Sequence, residues 1–290
     1  SRVWAFFRTV ADDMDKYVDF AMGYNPDNRM PLWVKPRTKV SPKTVFDCMR
    51  DHYEGTPMDM TTDIGAGGNH CPYRWRPMYF EVDGVEYCNE RATATQQTGF
   101  WFVAQARPHL PADMGILWFG VDDAATSCLT PIYCSATEVP ECLREGNGTM
   151  LKYSDTSAFW LFNRVTNFAY LNYDRVAPAI RKVVDEWENG KLEEVKQIDA
   201  VYASSPKKRM KKLTEYSVNT AQSLFDKWVE LDRYLLVKFM DGNIKSEDEN
   251  GFIDNGNGRD IPDKIEQPGY SEKWKRAVAA DNGKVLRVVK

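Results

Sequence analysis

Histidine is scarce in this sequence, and its cysteines are not arranged to help it. Only His52, His70 and His109 occur, none at ligand spacing to the six cysteines, which include no C-x-x-C pair. That excludes a legible zinc finger or dithiol redox motif. No Ser-His-Asp order is readable either, so structural or surface roles are expected for all three histidines. An excess of charge is also missing: 38 Lys and Arg against 42 Asp and Glu leave a formal net charge of −4. Without a basic run interleaved with aromatics the chain has no track for a phosphate backbone, and nucleic acid is excluded as a partner. The longest apolar stretches, 114–121 and 157–171, are too short or too interrupted to cross a bilayer, so no membrane segment is expected. The opening SRVWAFFRTVADDMDKY has neither an initiator Met nor the basic start and apolar run of a signal peptide. Something upstream is expected to have been removed or omitted.

What is present is ample material for a core. The 290 residues are 43% hydrophobic and 13% aromatic, enough for one large domain or two ordinary ones. Cys48, Cys71, Cys88, Cys128, Cys134 and Cys142 all lie in the first half. Their even number permits disulfides in a secretory compartment, while scattered buried thiols are an equal alternative. Asn147-Gly148-Thr149 fits the glycosylation acceptor pattern, and together these features favour a secretory or lysosome-like compartment slightly over the cytosol.

The period of the apolar residues changes twice. Over 2–21, Val3, Phe6, Phe7, Val10, Met14, Tyr17 and Val18 recur at helical spacing, predicting an amphipathic opening helix. Ser41-Pro42 predicts a helix start, with the helix running to about His52 before Gly55 and Pro57. From 77 to 137 the pattern is that of strands. MYFEV and VEYC flank Asp83-Gly84, a hairpin signal, and TGFWFVAQA, GILWFGV and PIYCSAT follow, predicting an antiparallel sheet. From 157 to about 241 helices return: AFWLFNRVTNFAYL, RVAPAIRKVVDEW ending at Asn189-Gly190, and a long segment from Lys207 to Met240. They are expected to cover one face of the sheet. The tail from Asp241, rich in Gly, Asn and Asp, predicts an irregular surface extension. The expected boundaries are a domain over 1–245 and an extension over 246–290 packed on it.

Several candidate clusters read more simply as scaffold. DGNIKSEDENGFIDNGNGRD has the oxygen-rich composition of a calcium loop but not its spacing, so a solvated loop is expected. Lys207, Lys208, Arg209, Lys211 and Lys212 begin a helix beside Glu215 and read as a solvated face. Phe159, Trp160, Phe162 and Phe168 read as core.

Ten stretches carry a resemblance. They are WVKP (33–36), MRDHYEGTPMDMT (49–61), PYRWRP (72–77), TQQTGF (95–100), LWFGVDD (117–123), TEVPE (137–141), SAFWLFN (157–163), YSVN (216–219), KFMDGN (238–243) and QPGYSEKW (267–274). In content and order they resemble the dipeptidase A family of N-terminal-nucleophile cysteine peptidases, to which the secernins are related. The resemblance implies an α+β fold, the four-layer αββα sandwich of that class, and hydrolysis of dipeptides by a cysteine that opens the mature chain, with no cofactor. It also implies a departure: the family's cysteine, and the Arg and Asp close behind it, belong upstream of everything in this sequence. None of the six cysteines is therefore expected to be the nucleophile. The expected partner is an amino-terminal segment carrying that cysteine, and without it the chain should self-associate or expose apolar faces.

Chemistry requires that segment because a terminal cysteine supplies both the attacking thiol and an α-amino group to relay the proton. Donors for the oxyanion and the substrate could come from this chain. Arg2 is the catalytic candidate, since Ser1-Arg2-Val3 before a helix resembles the Ser-Arg-Phe element of related amide hydrolases, in which the arginine lines the site. Gln96, Gln97 and Thr98 are substrate-binding candidates that could equally satisfy neighbouring backbone. Ser1 as a nucleophile is a rival that the helical spacing from Arg2 onward opposes. The competing functional reading is a family member without activity that serves as a binding or interaction protein.

Overall fold

A computed structural model describes residues 1–289 of the chain. Helix, sheet and helix follow one another as the changes of period predict. Helix α1 (Arg2–Val10) buries Trp4, Ala5 and Val10. The opening helix expected over 2–21 is divided, because the backbone becomes extended at Ala11 and left-handed at Asp13 before α2 (Val18–Ala21). Arg37 accounts for the break. Its guanidinium donates to Ala11 O (2.5 Å) and Thr9 O (2.7 Å), and its N–H donates to Val10 O (2.9 Å). The last carbonyls of α1 are thus satisfied from outside, with no further helical turn needed. The Trp4 ring N–H then ties the next segment back, donating to Met14 O at 2.8 Å.

Helix α3 (Pro42–Cys48) begins where the sequence predicts, with Ser41 Oγ accepting from the Thr44 N–H at 3.1 Å and proline in the first turn. Strands β1 (Tyr79–Val82) and β2 (Val85–Cys88) meet at Asp83-Gly84, whose positive φ values of 53° and 77° suit a tight hairpin. The hairpin does not join the next strands. β3 (Phe100–Gln105), β4 (Ile116–Val121) and β5 (Thr130–Tyr133) form a separate antiparallel sheet in the order β3-β4-β5. Two sheets replace the one expected because the intervening chain is claimed elsewhere: the Thr93 N–H bonds Asp51 O at 3.1 Å.

Three long helices complete the body: α4 (Ala158–Leu171), α5 (Tyr173–Tyr202) and α6 (Pro206–Phe239). On one side of the sheet Trp101, Ile116, Trp118 and Tyr133 pack with Phe46, Val195 and Leu213. Between the helices Phe162 stacks on Trp228 at 4.4 Å, beside Ile180, Val184 and Leu224. Each such large side chain contributes about 1.5–3 kcal/mol by leaving water. Helix α6 also bonds the edge and end of β5, with Ser217 Oγ accepting from the Tyr133 N–H (3.0 Å) and Thr214 Oγ1 from the Thr137 N–H (3.1 Å). Helices therefore contact the sheet at both faces rather than one, but Phe100 and Phe102 of β3 remain 61% and 50% exposed.

Helix α5 runs straight through Asn189-Gly190, where the sequence predicts its end. Glu188 and Val195, on either side of that pair, are both buried. Their burial outweighs the roughly 1 kcal/mol that an internal glycine costs. In the tail, β6 (Ile244–Lys245) pairs with β9 (Ile265–Glu266) and β7 (Glu247–Asp248) with β8 (Gly251–Phe252), before α7 (Glu272–Leu286). That helix departs from the irregular extension expected, and Ser271 explains it by accepting from the Trp274 N–H at 3.3 Å. No residue of α7 is buried. Tyr270 and Trp274 rest on Gly68, where a Cβ would lie 2.5 Å from the Tyr270 ring, and Lys273 donates to Thr62 O at 2.7 Å. Among the described residues no helix is long and apolar enough to cross a membrane.

Candidate functional site

The segment Arg50–Glu54 organises the polar interior. Arg50 points inward and is nearly fully buried. Its two terminal nitrogens grip Glu188 at 3.0 and 2.5 Å, Nε donates to Ala124 O at 2.9 Å, and Nη2 also reaches Ser127 O at 3.2 Å. Glu188 in turn accepts from the Leu129 N–H at 3.1 Å. The guanidinium lies 4.8 Å from the centre of the Trp101 ring. A bidentate pair with this many further partners fixes α5, the 124–129 turn and the 50–54 loop together. It is scaffold, with nothing left to offer a substrate.

The next residues face different ways. His52, 1% exposed, bonds Glu54 through Nδ1 at 3.0 Å, and its Nε2 has no partner. Burial pushes Glu54 up, but the hydrogen bond and charge of His52 together hold it below the ordinary carboxylate value. Tyr53 is completely buried in a left-handed conformation (φ 67°), an arrangement a bulky side chain adopts only when its surroundings enforce it. Its hydroxyl donates to Arg91 O at 2.6 Å, and burial raises it to about 12.

Behind His52 lies a knot of aromatic and acidic groups. Tyr73 meets His52 and Tyr173 edge-on at 5.3 and 5.7 Å and Tyr170 at 4.7 Å. Asp123, fully buried, accepts from the Ala125 N–H (3.0 Å) and the Tyr170 hydroxyl (3.4 Å), and burial raises its pKa. Asp122, also fully buried and left-handed (φ 67°), accepts from Asn163 at 2.8 Å while its second oxygen has no partner. Burial lifts it to about 6. In front of His52 opens a cleft of about 470 Å³ lined by His52, Glu54, Thr61, His70, Asp174 and Arg181. His70 is left-handed too (φ 54°), and its Nδ1 donates to Thr61 O at 2.9 Å.

Arg2, the catalytic candidate, is exposed at the start of α1. Its helix is tied to the hub through Arg8, which donates to Glu54 O at 3.1 Å and lies 3.9 Å from Asp51. Gln96 donates to Arg74 O at 2.5 Å and Thr98 to Thr95 O at 2.8 Å, so both satisfy backbone, while Gln97 is exposed. Gln96 and Gln97 share a small hollow with Glu90 and Arg91, and Tyr53 bonds that same 90–91 stretch. Among the described residues no hydrogen bond or ion pair joins Arg2 to Gln96, Gln97 or Thr98, and the hollow beside Gln96 and Gln97 does not include Arg2. Asn147 spends its amide hydrogens on Glu141 O (3.0 Å) and Thr156 O (3.1 Å). His109 is exposed.

The cysteines are all free thiols. Burial raises Cys48, Cys71, Cys128 and Cys142, the last to about 11, which opposes the thiolate a nucleophile needs. Cys88 and Cys134 are at the surface. Among the described residues no group of three His, Cys, Asp or Glu could hold a metal ion. The pairing of His52 with Glu54 and the double aspartate after β4 were not singled out as site residues by sequence reasoning. The signals available were the H-x-E order in 49–61 and two adjacent acids closing an apolar strand.

Buried carboxylates, left-handed bulky residues and an orphaned ring nitrogen occur in the polar interior of this mixed α+β chain, features that gather at functional sites. A model of Peptidase family C69 matches residues 1–186. The chain belongs to that peptidase family, the dipeptidase A group of cysteine peptidases. The match takes in α1 to α4, both larger β elements and α5 to just short of Glu188. No curated protein matches the chain.

Proposed function

We propose that this chain is the carboxy-terminal portion of a cysteine dipeptidase of the N-terminal-nucleophile kind, acting on dipeptides with a cysteine carried on a segment outside it. The family match over residues 1–186 is the observation that carries this reading. The state of the thiols supports it, since the three buried ones and the half-buried Cys71 are raised rather than activated. The terminal cysteine of the partner segment attacks the peptide carbonyl and passes its proton through the α-amine to the departing amine. Water then hydrolyses the thioester and releases the second product. Arg2 stabilises charge or holds substrate at the edge of that site, Gln96, Gln97 and Thr98 border it, and no cofactor takes part.

Exposed apolar surface supports a partner. Phe80, Val82, Val85 and Tyr87 share one face of the β1–β2 hairpin and are each 46–51% exposed. A lone two-stranded hairpin with such a face is marginal in water. Together with Phe100 and Phe102 on the free edge strand β3, it is surface that a nucleophile-bearing segment would cover to complete an αββα sandwich. Residues 1–245 then form the main part of this domain and 246–290 an extension packed on it. Intact-mass measurement and N-terminal sequencing of native material test the reading. A companion fragment beginning with cysteine, together with dipeptide hydrolysis, is expected. Its consistent absence without such hydrolysis overturns the reading in favour of a non-catalytic binding protein.

A further inference from the structure

Asparagine followed by glycine is a chemically fragile pair, because no Cβ shields the glycine nitrogen from the asparagine side-chain carbon. Six such pairs occur here, beginning at Asn147, Asn189, Asn250, Asn255, Asn257 and Asn282. Their surroundings differ. Asn189-Gly190 lies in the middle of α5, whose helical backbone keeps the two atoms apart, and inside α7 the Asn282 side chain is tied through its amide to Asp281. Asn147 is locked from both ends. Its amide donates to Glu141 O and Thr156 O at 3.0 and 3.1 Å, and its carbonyl accepts from the Ser154 and Thr156 hydroxyls at 2.6 and 3.1 Å.

The three pairs in the tail are separated by what holds each glycine nitrogen. The Ile253 N–H bonds Ser246 O at 3.1 Å, so the alternation of the β7–β8 ladder makes Asp248 and Gly251 its next hydrogen-bonded pair. The Gly256 N–H donates to Asp254 Oδ1 at 2.6 Å. Gly258 is different: among the described residues nothing accepts from its N–H, and a Cβ placed on it would meet nothing within 4 Å. Its neighbour is also primed. Asn257 is exposed, and its Oδ1 accepts from the Arg259 N–H at 3.0 Å, which turns the side-chain carbonyl back over the Gly258 peptide and draws electron density from its carbon. Asn255 accepts a similar bond from the Asn257 N–H at 3.2 Å, but the nitrogen it would need is held by Asp254.

We propose that Asn257 is a modification site, at which the folded chain deamidates spontaneously through its own backbone. The Gly258 nitrogen gives up its proton to solvent base and attacks Asn257 Cγ. The Cγ–Nδ2 bond breaks, and ammonia leaves with a proton returned from solvent, closing a five-membered succinimide. Water then opens the ring. Addition at the side-chain carbonyl gives aspartate, and addition at the main-chain carbonyl gives isoaspartate. Water is the co-reactant, and nothing is oxidised or reduced. Either product places a new negative charge at position 257, and isoaspartate also lengthens the backbone within the loop that the Asn255 N–H closes on Ile261 O at 2.9 Å.

The test ages the full chain in mildly alkaline buffer, both folded and in denaturant, and follows peptides spanning the six pairs by mass spectrometry. An isoaspartate-specific methyltransferase marks the rearranged product. In the folded chain Asn257 should deamidate faster than each of the other five by about fivefold to tenfold or more, since elsewhere a hydrogen bond must be given up first. In denaturant the six rates should converge. Asp254→Ala, which frees the Gly256 N–H in an exposed loop, should raise the Asn255 rate by about the same factor, with circular dichroism verifying the fold. Another pair reacting faster than Asn257 in the folded chain, the same ranking persisting in denaturant, or an Asn255 rate unmoved by Asp254→Ala overturns the inference.

Discussion

Asp122 makes the chain less stable as pH rises, and Asp122→Asn should remove that loss. The carboxyl is fully buried and one of its oxygens lacks a partner, so ionisation in the folded state is penalised and the pKa climbs from 3.8 to about 6. A folded pKa above the unfolded one means that the stabilising contribution is complete below about pH 4 and is lost as pH rises to about 6. The rise corresponds to about 3 kcal/mol. Asparagine keeps the acceptor for Asn163 and tolerates the left-handed backbone, but carries no charge. Asp122→Asn should therefore match the parent at pH 4 and exceed it by about 3 kcal/mol at pH 7.5. Entropy of about 2.1 cal/mol/K per residue turns this into about 5 °C of melting temperature. Thermal denaturation of both proteins across that range reads it directly. A difference that does not vary with pH, or a variant less stable at pH 7.5, refutes the assignment of a buried, uncompensated carboxyl.

Three further outcomes follow from the same geometry. Arg50→Met and Glu188→Leu should each cost about 3–5 kcal/mol by stranding a buried charge, while the double variant loses clearly less than the sum; additive losses in denaturant titrations would show that the two groups do not act as a pair. Arg2→Ala in the assembled enzyme should lower turnover by about 10²–10³-fold with unchanged stability, since the side chain is exposed, and a preserved rate removes Arg2 from the site. Gly68→Ala pushes a methyl into the Tyr270 ring, so limited proteolysis after residue 267 should accelerate while global stability changes by less than about 1 kcal/mol; unaltered cleavage contradicts the contact that seats α7.

Local chemistry was legible wherever a few neighbouring residues decide it. The Ser41-Pro42 helix start, the Asp83-Gly84 hairpin, the three strands from Phe100 to Tyr133 and the long helices α4 and α6 all follow from caps, turns and periods. Breaks went unseen where distant groups override them. Arg37 ends α1 by taking its carbonyls, and the grip of Arg50 on Glu188 carries α5 past a glycine, across 138 residues of sequence. The site divides the same way. Arg2 and Gln96 were visible as donors in resembling stretches, whereas the Glu54–His52–Asp123 knot depends on Tyr73 and the Tyr170–Tyr173 junction of α4 and α5 arriving from two distant parts of the chain. Spacing alone gave no reason to prefer those histidines over surface ones.

The central claim, a cysteine dipeptidase whose nucleophile lies outside this chain, is tested most directly by covalent labelling. Native protein is treated with an electrophilic dipeptide analogue, and the modified residue is mapped by mass spectrometry. The account predicts one label, competed by dipeptide substrate, on a terminal cysteine of the companion segment, with Cys48, Cys71, Cys88, Cys128, Cys134 and Cys142 untouched. A substrate-protected label on any of those six, or on Ser1, would contradict it.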